Sequence, residues 1–344
     1  MIRVSDEHNI LMELFDHYDH MARVPIGMAD IDVLTTYDTM VDASDRPTVV
    51  VCTEPNAEQA HRLFRPLLDR RPNSLWAVNH LKAGCEWQVP RSIFFASHLC
   101  LTLRANPNPA QWLPTPKPYL ASALLGGWGL ERLHLYHAIK RQGLLDRCLV
   151  NWRRRNISNA ASEHAELYED YQSPSIVDLD DPRFQAAAYE QGGINTMRPI
   201  TFEKQDSTFI SQIIPWQIYD QSWLNIVAET CHDSFLPTEK IGKSLLAGQP
   251  WVAFACSGFL ARMRDLGFQT FAPWIDESYD LIEDLRDRAL AVVDSVRTFD
   301  SRSDGEKLRL IKQIQPRLDH NRSLMLNQRH WYDPLVQAME NLVR

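Results

Sequence analysis

The chain reads as an α/β protein made of two Rossmann-like halves, with helices at its C-terminus. Three observations predict this. Short apolar runs alternate with amphipathic helical stretches, the pattern of parallel sheets covered by helices. Residues 119–151 spell out one complete β-α-β unit. Between the halves, "RANPNPAQWLPTPKPYL" holds five prolines from Pro107 to Pro118. Proline at that density continues neither a helix nor a central strand, so the boundary belongs there.

The elements follow in order. "NILMELFDHYDHMARV" has helical apolar spacing at Ile10, Leu11, Leu14 and Phe15. "PTVVVCTEPN" is a buried strand running into a loop at Thr53-Glu54-Pro55-Asn56, and "SLWAVNHL" and "SIFFASHLCLTL" read as further strands. After the prolines, "YLASALL" is a strand, "GGWG" a turn, "LERLHLYHAIKRQGLL" a helix closing near Gly143, and "DRCLVNWRR" a strand. Residues 157–200 are polar and irregular, with a short helix at "PRFQAAAYEQ". "SWLNIVAET" is a strand, "TEKIGKSLLAG" a helix with a glycine stop, and "PWVAFA" a strand. "GFLARMRDLG" is helical, "FQTFAPW" a short strand, and the chain from Asp276 onward mainly helical.

Composition narrows the function classes. The 344 residues are 44% hydrophobic and 23% charged, and the formal net charge of −8 excludes an overall basic nucleic-acid coat. A local exception lies at 119–156, where seven basic residues (Arg132, Lys140, Arg141, Arg147, Arg153, Arg154, Arg155) meet two acids (Glu131, Asp146). Its "NWRRRN" suits a diphosphate, a nucleic-acid backbone or plain solvent. The six cysteines are scattered without C-x-x-C, as in a reducing compartment. No apolar run approaches 18 residues and no signal region opens the chain, so a cytoplasmic protein without a membrane span is expected.

The chemistry concentrates at 229–244, "ETCHDSFLPTEKIGKS". Gly242-Lys243-Ser244 resembles the end of a P-loop. However, the glycine required five positions earlier is Pro237, and the lysine falls inside the helix. Pro237-Thr238-Glu239-Lys240 is more informative. Thr238 suits an N-cap, and a helix start attracts anions through its N–H groups and dipole. Glu239 suits two ribose hydroxyls and Lys240 a diphosphate; an ordinary solvated ion pair is the competing reading. His134 and His137 are spaced for a metal but lack a completing carboxylate or cysteine. The acidic pairs in "ADID" and "DLDD" are short loop patterns, so no metal site is expected.

The run "IVAETCHDSFLPTEKIGKSLLAGQPWVAF" resembles the donor-binding segment of the α-1,3-fucosyltransferase family, and more closely the fucosyltransferase-like glycosyltransferases of phages and bacteria. Glu229, His232, Thr238, Glu239, Lys240 and Gly248 fit that pattern without a gap, and Arg132 matches an arginine that contacts the donor diphosphate. Leu236 stands where the family has a tyrosine, which leaves the nucleotide open.

The resemblance implies a GT-B architecture, two Rossmann-like domains facing across a cleft. Residues 1–117 would form the acceptor side and 118–300 the nucleotide-sugar side, with the helices of 301–344 packing back on the N-terminal domain. It implies sugar transfer from a nucleoside-diphosphate sugar, inverting and without metal or other cofactor. Glu54 would be the general base; its competing reading is a cap for a helix starting near Ala57. Arg132, Glu229, His232, Thr238, Glu239 and Lys240 would hold the donor. Arg153, Arg154 and Arg155 would meet an acceptor or phosphate. The acceptor is a glycan, a small molecule or DNA carrying a hydroxymethylated pyrimidine; a non-catalytic nucleotide-sugar-binding protein is the alternative.

Overall fold

A computed structural model describes residues 2–5, 21–23, 31–35, 47–51, 74–78, 92–125, 130–151, 199–202, 206–209 and 213–344. The first sheet has six strands: β1 (Ile2–Ser5), β2 (Met21–Arg23), β3 (Ile31–Thr35), β4 (Thr48–Val51), β5 (Ser74–Val78) and β6 (Ser92–Phe94). Their order is β2-β1-β3-β4-β5-β6, and every adjacent pair is parallel. Val4, Ile31, Val33, Val49, Val51 and Ala77 are buried, as the continuous apolar runs require.

The second sheet contains β7 (Tyr119–Leu124), β8 (Cys148–Asn151), β11 (Ser222–Ala228) and β12 (Trp251–Phe254), in the order β12-β11-β7-β8 and again all parallel. Between β8 and β11, β9 (Pro199–Phe202) and β10 (Asp206–Phe209) form a small antiparallel pair. The α/β class and the paired parallel sheets are therefore those expected.

Helices α1 (Ser97–Ala105), α2 (Leu130–Arg141), the short α3 (Trp216–Tyr219), α4 (Glu239–Ala247) and α5 (Phe259–Asp265) connect these strands. Then come α6 (Leu285–Asp300), α7 (Asp304–Leu326) and α8 (Gln328–Val343). Helix α4 stops at Gly248, whose φ of 69° lies in the left-handed region that glycine adopts without strain. A reciprocal capping box between Ser303 and Glu306 starts α7.

Three readings of local structure are corrected. "SIFFASHLCLTL" splits into the three-residue β6 and the helix α1. Leu99, Thr102 and Leu103 recur at helical spacing on its buried side, and a short apolar run does not separate strand from helix. "FQTFAPW" forms no strand. Its backbone N–H groups bond to side chains instead: Gln269 to Asn321 Oδ1 (2.7 Å) and Ala272 to Glu277 Oε1 (2.8 Å). At the end of the first stretch read as helical, Met21–Arg23 is a strand paired with β1.

The proline-rich segment is laid down firmly. The Trp112 N–H donates to Ala247 O (2.7 Å), and its indole N–H reaches the carbonyls of Tyr219 and Ser222. From α7, Arg322 donates to Leu246 O (2.9 Å) and Pro109 O (2.6 Å), tying helix, linker and the end of α4 together. Helix α8 returns to the first sheet, where Tyr332 meets Phe95 at 5.7 Å between ring centroids. Helix α1 crosses α4 so closely that a Cβ on Gly242 would lie 3.2 Å from both Leu99 and Thr102.

Candidate functional site

In the second sheet, β7 and β11 are neighbours, yet the chain leaves them in opposite directions, towards β8 and β12. Such a switch point opens a crevice at the carboxyl ends of the two strands, where ligands of parallel α/β sheets bind. The loop after β7 leads into α2, whose first turn carries Arg132. The loop after β11 runs from Glu229 to Thr238 and leads into α4. The first turn of α2 and the segment from Glu229 into α4 thus follow neighbouring strands, and the six donor residues read from the sequence, Arg132, Glu229, His232, Thr238, Glu239 and Lys240, are on them.

Glu229 is buried at 1% exposure. Its Oε1 accepts from the N–H groups of Thr238 (3.1 Å) and Ile241 (3.3 Å), and its Oε2 from the Thr238 hydroxyl. Burial raises its pKa, opposed by the charge of Lys240. Thr238 is the N-cap, and its Oγ1 accepts from the backbone N–H and the Nζ of Lys240 (3.3 and 3.2 Å). The expectation that free N–H groups at this helix start receive phosphate needs revision. Those of Lys240 and Ile241 are already taken by Thr238 and Glu229.

Those side chains carry a positive excess. Lys240 Nζ donates to Thr230 Oγ1 (2.8 Å) and to Glu239 Oε1 (2.9 Å), and both members of that ion pair keep a fraction of their surface in solvent. Burial alone would raise the Glu239 carboxyl, but Lys240, His98 and Lys243 together hold it well below the usual range, so it is an ionised acceptor. Arg132 is lowered by burial and held charged by Glu239, Glu131 and Glu229. The charges of Arg132, Lys240 and Lys243 therefore act on Glu239 and on a Glu229 whose pKa burial raises. The His232 ring lies against Phe254, tilted by 48° with 4.5 Å between ring centroids, and its Nε2 is 3.2 Å from Glu229 O. Burial and the charge of Arg288 lower its pKa to about 4, so the ring is neutral at physiological pH.

Three contributors were missed in the sequence. Lys243 was read as incidental helix, yet it is 7% exposed and one turn beyond Glu239 on the same face of α4. The i,i+4 spacing from Glu239 was the available signal. His98 comes from α1, on the N-terminal side, and its charge acts on Glu239. Arg288, in the first turn of α6, lies 56 residues beyond His232 and no local motif marks it. The P-loop reading is excluded, because Gly242, Lys243 and Ser244 are interior to α4 and Ser244 accepts a hydrogen bond from Asn225 (2.7 Å).

Glu54, three positions past β4, lies outside the described residues, as do Arg153, Arg154 and Arg155. Among the described residues no three His, Cys, Asp or Glu side chains are grouped as a metal requires, and no helix is long and apolar enough to cross a membrane.

No family model and no curated protein sequence matches the chain. The solved structures that resemble it in outline include the following three. One is the DNA-modifying enzyme β-glucosyltransferase, determined with and without uridine diphosphoglucose, at 8% identity and a TM-score of 0.41, covering 90% of this chain and 73% of that one. A second is the β-glucosyltransferase of phage T4, at 10% identity and a TM-score of 0.41, covering 97% and 84%. The third is an α1,3-fucosyltransferase, at 8% identity and a TM-score of 0.33, covering 99% and 90%.

Proposed function

We propose that the chain is a glycosyltransferase that moves a sugar from a nucleoside-diphosphate sugar to an acceptor hydroxyl. The observation that carries this reading is the convergence of Arg132, Glu239, Lys240 and Lys243 at the switch point between β7 and β11. A nucleoside diphosphate has a vicinal diol and a doubly charged linker. Glu239, ionised and partly exposed, suits the diol; the cations suit the linker.

The reaction we infer is a direct displacement at the anomeric carbon with inversion. Positive charge from Lys240 and Arg132 would stabilise the departing diphosphate, the task a divalent metal performs in other transferases, so no metal is invoked. Glu229 and Thr238 set the position of Lys240 by fixing the first turn of α4. Glu54 is the proposed base that takes the proton of the acceptor hydroxyl as the new bond forms. For the acceptor we favour DNA carrying a hydroxymethylated pyrimidine, on the strength of the basic excess over 119–156 and its Arg153-Arg154-Arg155. A glycan or small-molecule acceptor is the second reading, supported by the overall charge of −8.

Calorimetry with UDP, GDP, ADP and CDP tests the donor site: at least one should bind, and failure of all four removes the glycosyltransferase reading. Incubation of hydroxymethylated DNA with a panel of nucleotide sugars tests the acceptor: a DNA mass increase of one sugar is expected, and its absence with every donor removes the DNA version. Glu54→Gln should retain nucleotide binding and lose turnover; a variant that still turns over shows that another group is the base.

A further inference from the structure

A cavity of about 330 Å³ opens between the loop 272–277 and the second half of α6. Phe299, in its wall, meets Trp223 near the start of β11, with 6.4 Å between ring centroids. Phe271, just before the loop, meets Trp251, the first residue of β12, at 5.2 Å. The cavity therefore lies at the amino ends of the second sheet. The candidate donor crevice is at the carboxyl ends, about 20 Å away by the rise of the seven-residue β11. Ligands of parallel sheets gather at the carboxyl ends, so a pocket at the other end is not accounted for by the fold.

The loop forms no strand, yet it is firmly held. The Glu277 carboxylate accepts from the backbone N–H groups of Phe271 and Ala272 and from the Thr270 hydroxyl (2.9 Å). The Ser295 hydroxyl donates to Asp276 O (2.9 Å), which joins the loop to α6. From α7, Arg317 donates to Thr270 O, and its guanidinium lies over the Trp274 indole, 4.7 Å from the ring centroid. Walls fixed in this way lose little freedom when a ligand binds.

The lining combines two characters. Trp274, Phe299, Ile275 and Pro273 supply apolar surface, and the Trp274 indole is only half-buried. Arg302 and Asp276 supply the polar groups. Nη1 of Arg302 donates to Thr298 O (3.0 Å), and its remaining N–H groups have no hydrogen-bond partner among the described residues. The exposed Asp276 carboxylate accepts from the N–H (2.9 Å) and hydroxyl (3.1 Å) of Ser278, which leaves it further lone pairs. Glu277 is spent on the loop itself. The cavity thus offers one cationic donor and one anionic acceptor beside aromatic rings. A ligand with net charge of either sign meets a like charge. Hydroxyl groups, which both donate and accept, satisfy both without charge.

We propose that this cavity is a saccharide-binding site. A pyranose ring lays its C–H face on Trp274 and turns its hydroxyls towards Arg302 and Asp276. The volume is at the lower end of the range of ligand pockets, about 300–1,000 Å³, and suits one or two sugar rings. A sugar held here is too far from the crevice to react there, so the site anchors a saccharide rather than transferring it. The inference is independent of the nucleotide-sugar reading, because the two sites share no residue.

Saturation-transfer NMR on the full chain tests it with glucose, galactose, mannose, cellobiose and maltose, and with adenosine and phenylalanine as a planar base and a zwitterion. At least one sugar should bind, with the strongest transfer to its ring C–H protons. Trp274→Ala and Arg302→Gln should each weaken that binding about tenfold. Thermal unfolding establishes that the variants fold, and Arg302→Gln decides the matter should Trp274→Ala not. Absence of binding by every sugar overturns the proposal. Sugar binding undiminished in the folded variants also overturns it, since the sugar is then elsewhere. Tighter binding of adenosine or phenylalanine than of any sugar overturns it in favour of a planar or zwitterionic ligand. Nucleoside diphosphate binding, measured on the same variants, should equal that of the parent, so the failure of either reading is seen apart from the other.

Discussion

Two successive turns of α4 carry similar residues and do opposite work. The first, at 238–241, holds Thr238, Glu239 and Lys240, and its charges stay partly in solvent. The second, at 242–245, holds Gly242, Lys243 and Ser244, all buried. There Gly242 admits α1, and Ser244 closes a hydrogen bond with Asn225, which also donates to the Tyr219 hydroxyl (2.7 Å). The difference shows that a motif is read by the face it occupies. Gly-Lys-Ser has the residues of a phosphate loop in the position of a packing surface, and the lysine among the three shares a face with Glu239.

The largest expected effect breaks the first turn at its anchor. Glu229→Ala removes the acceptor for two backbone N–H groups and the Thr238 hydroxyl inside a dry site. Destabilisation of about 3 kcal/mol is expected in urea unfolding, the sum typical of several buried donors left unpaired. A cost below about 1 kcal/mol would mean that water or another group caps α4. The next effect falls on binding. Lys240→Ala and Arg132→Ala should each weaken nucleoside diphosphate binding by about 1–3 kcal/mol, the usual range for losing a charged hydrogen-bond partner. Lys240→Ala should lower stability little, since Lys240 is partly exposed and its bonds to Thr230, Thr238 and Glu239 are near the surface. Calorimetry beside thermal unfolding separates the two outcomes.

The legibility of the two turns differs for the same reason. Thr238 as cap, Gly248 as stop and the strands around α4 were visible because each is a local event: a side chain bonding two residues on, a left-handed glycine, an unbroken apolar run. The grouping of Arg132 with Glu239 was visible only through resemblance, because it depends on β7 lying next to β11. His98 and Arg288 carried no signal, since each arrives from another element by long-range packing. The splitting of 92–103 into β6 and α1 was hidden by an apolar run too short for its period to show.

The second turn is broken more gently by Gly242→Ala. A methyl there meets Leu99 Cδ2 at 3.2 Å and Thr102 Cβ at 3.3 Å, closer than carbon atoms rest comfortably, and overpacking typically costs about 1–3 kcal/mol. Replacing a helical glycine by alanine returns up to about 1 kcal/mol through lower chain entropy. A net loss of about 1 kcal/mol is expected from urea unfolding. A neutral or stabilising result would show that α1 moves freely against α4, and so that the two halves are less firmly joined than the Gly242 contact implies.

The smallest effect distinguishes the two roles of Lys243. Burial lowers its pKa from 10.5 to about 8, partly opposed by Glu239. Between those pH values the unfolded chain holds a proton that the folded chain has released. The slope of unfolding free energy with pH is positive wherever the unfolded state binds more protons, so this group makes stability rise from about pH 8 to 10.5. Below pH 8 both states are protonated and the cost of the buried charge is constant. Binding runs the other way. A diphosphate favours the charged lysine, so affinity should fall as the pH climbs past 8, by roughly threefold to tenfold for one cation among three. Lys243→Met should flatten both trends together while leaving Lys240 and Arg132 in place. If affinity falls with pH as steeply in the variant as in the parent, Lys243 belongs to the packing of α4, and the division between its two turns falls cleanly at Gly242.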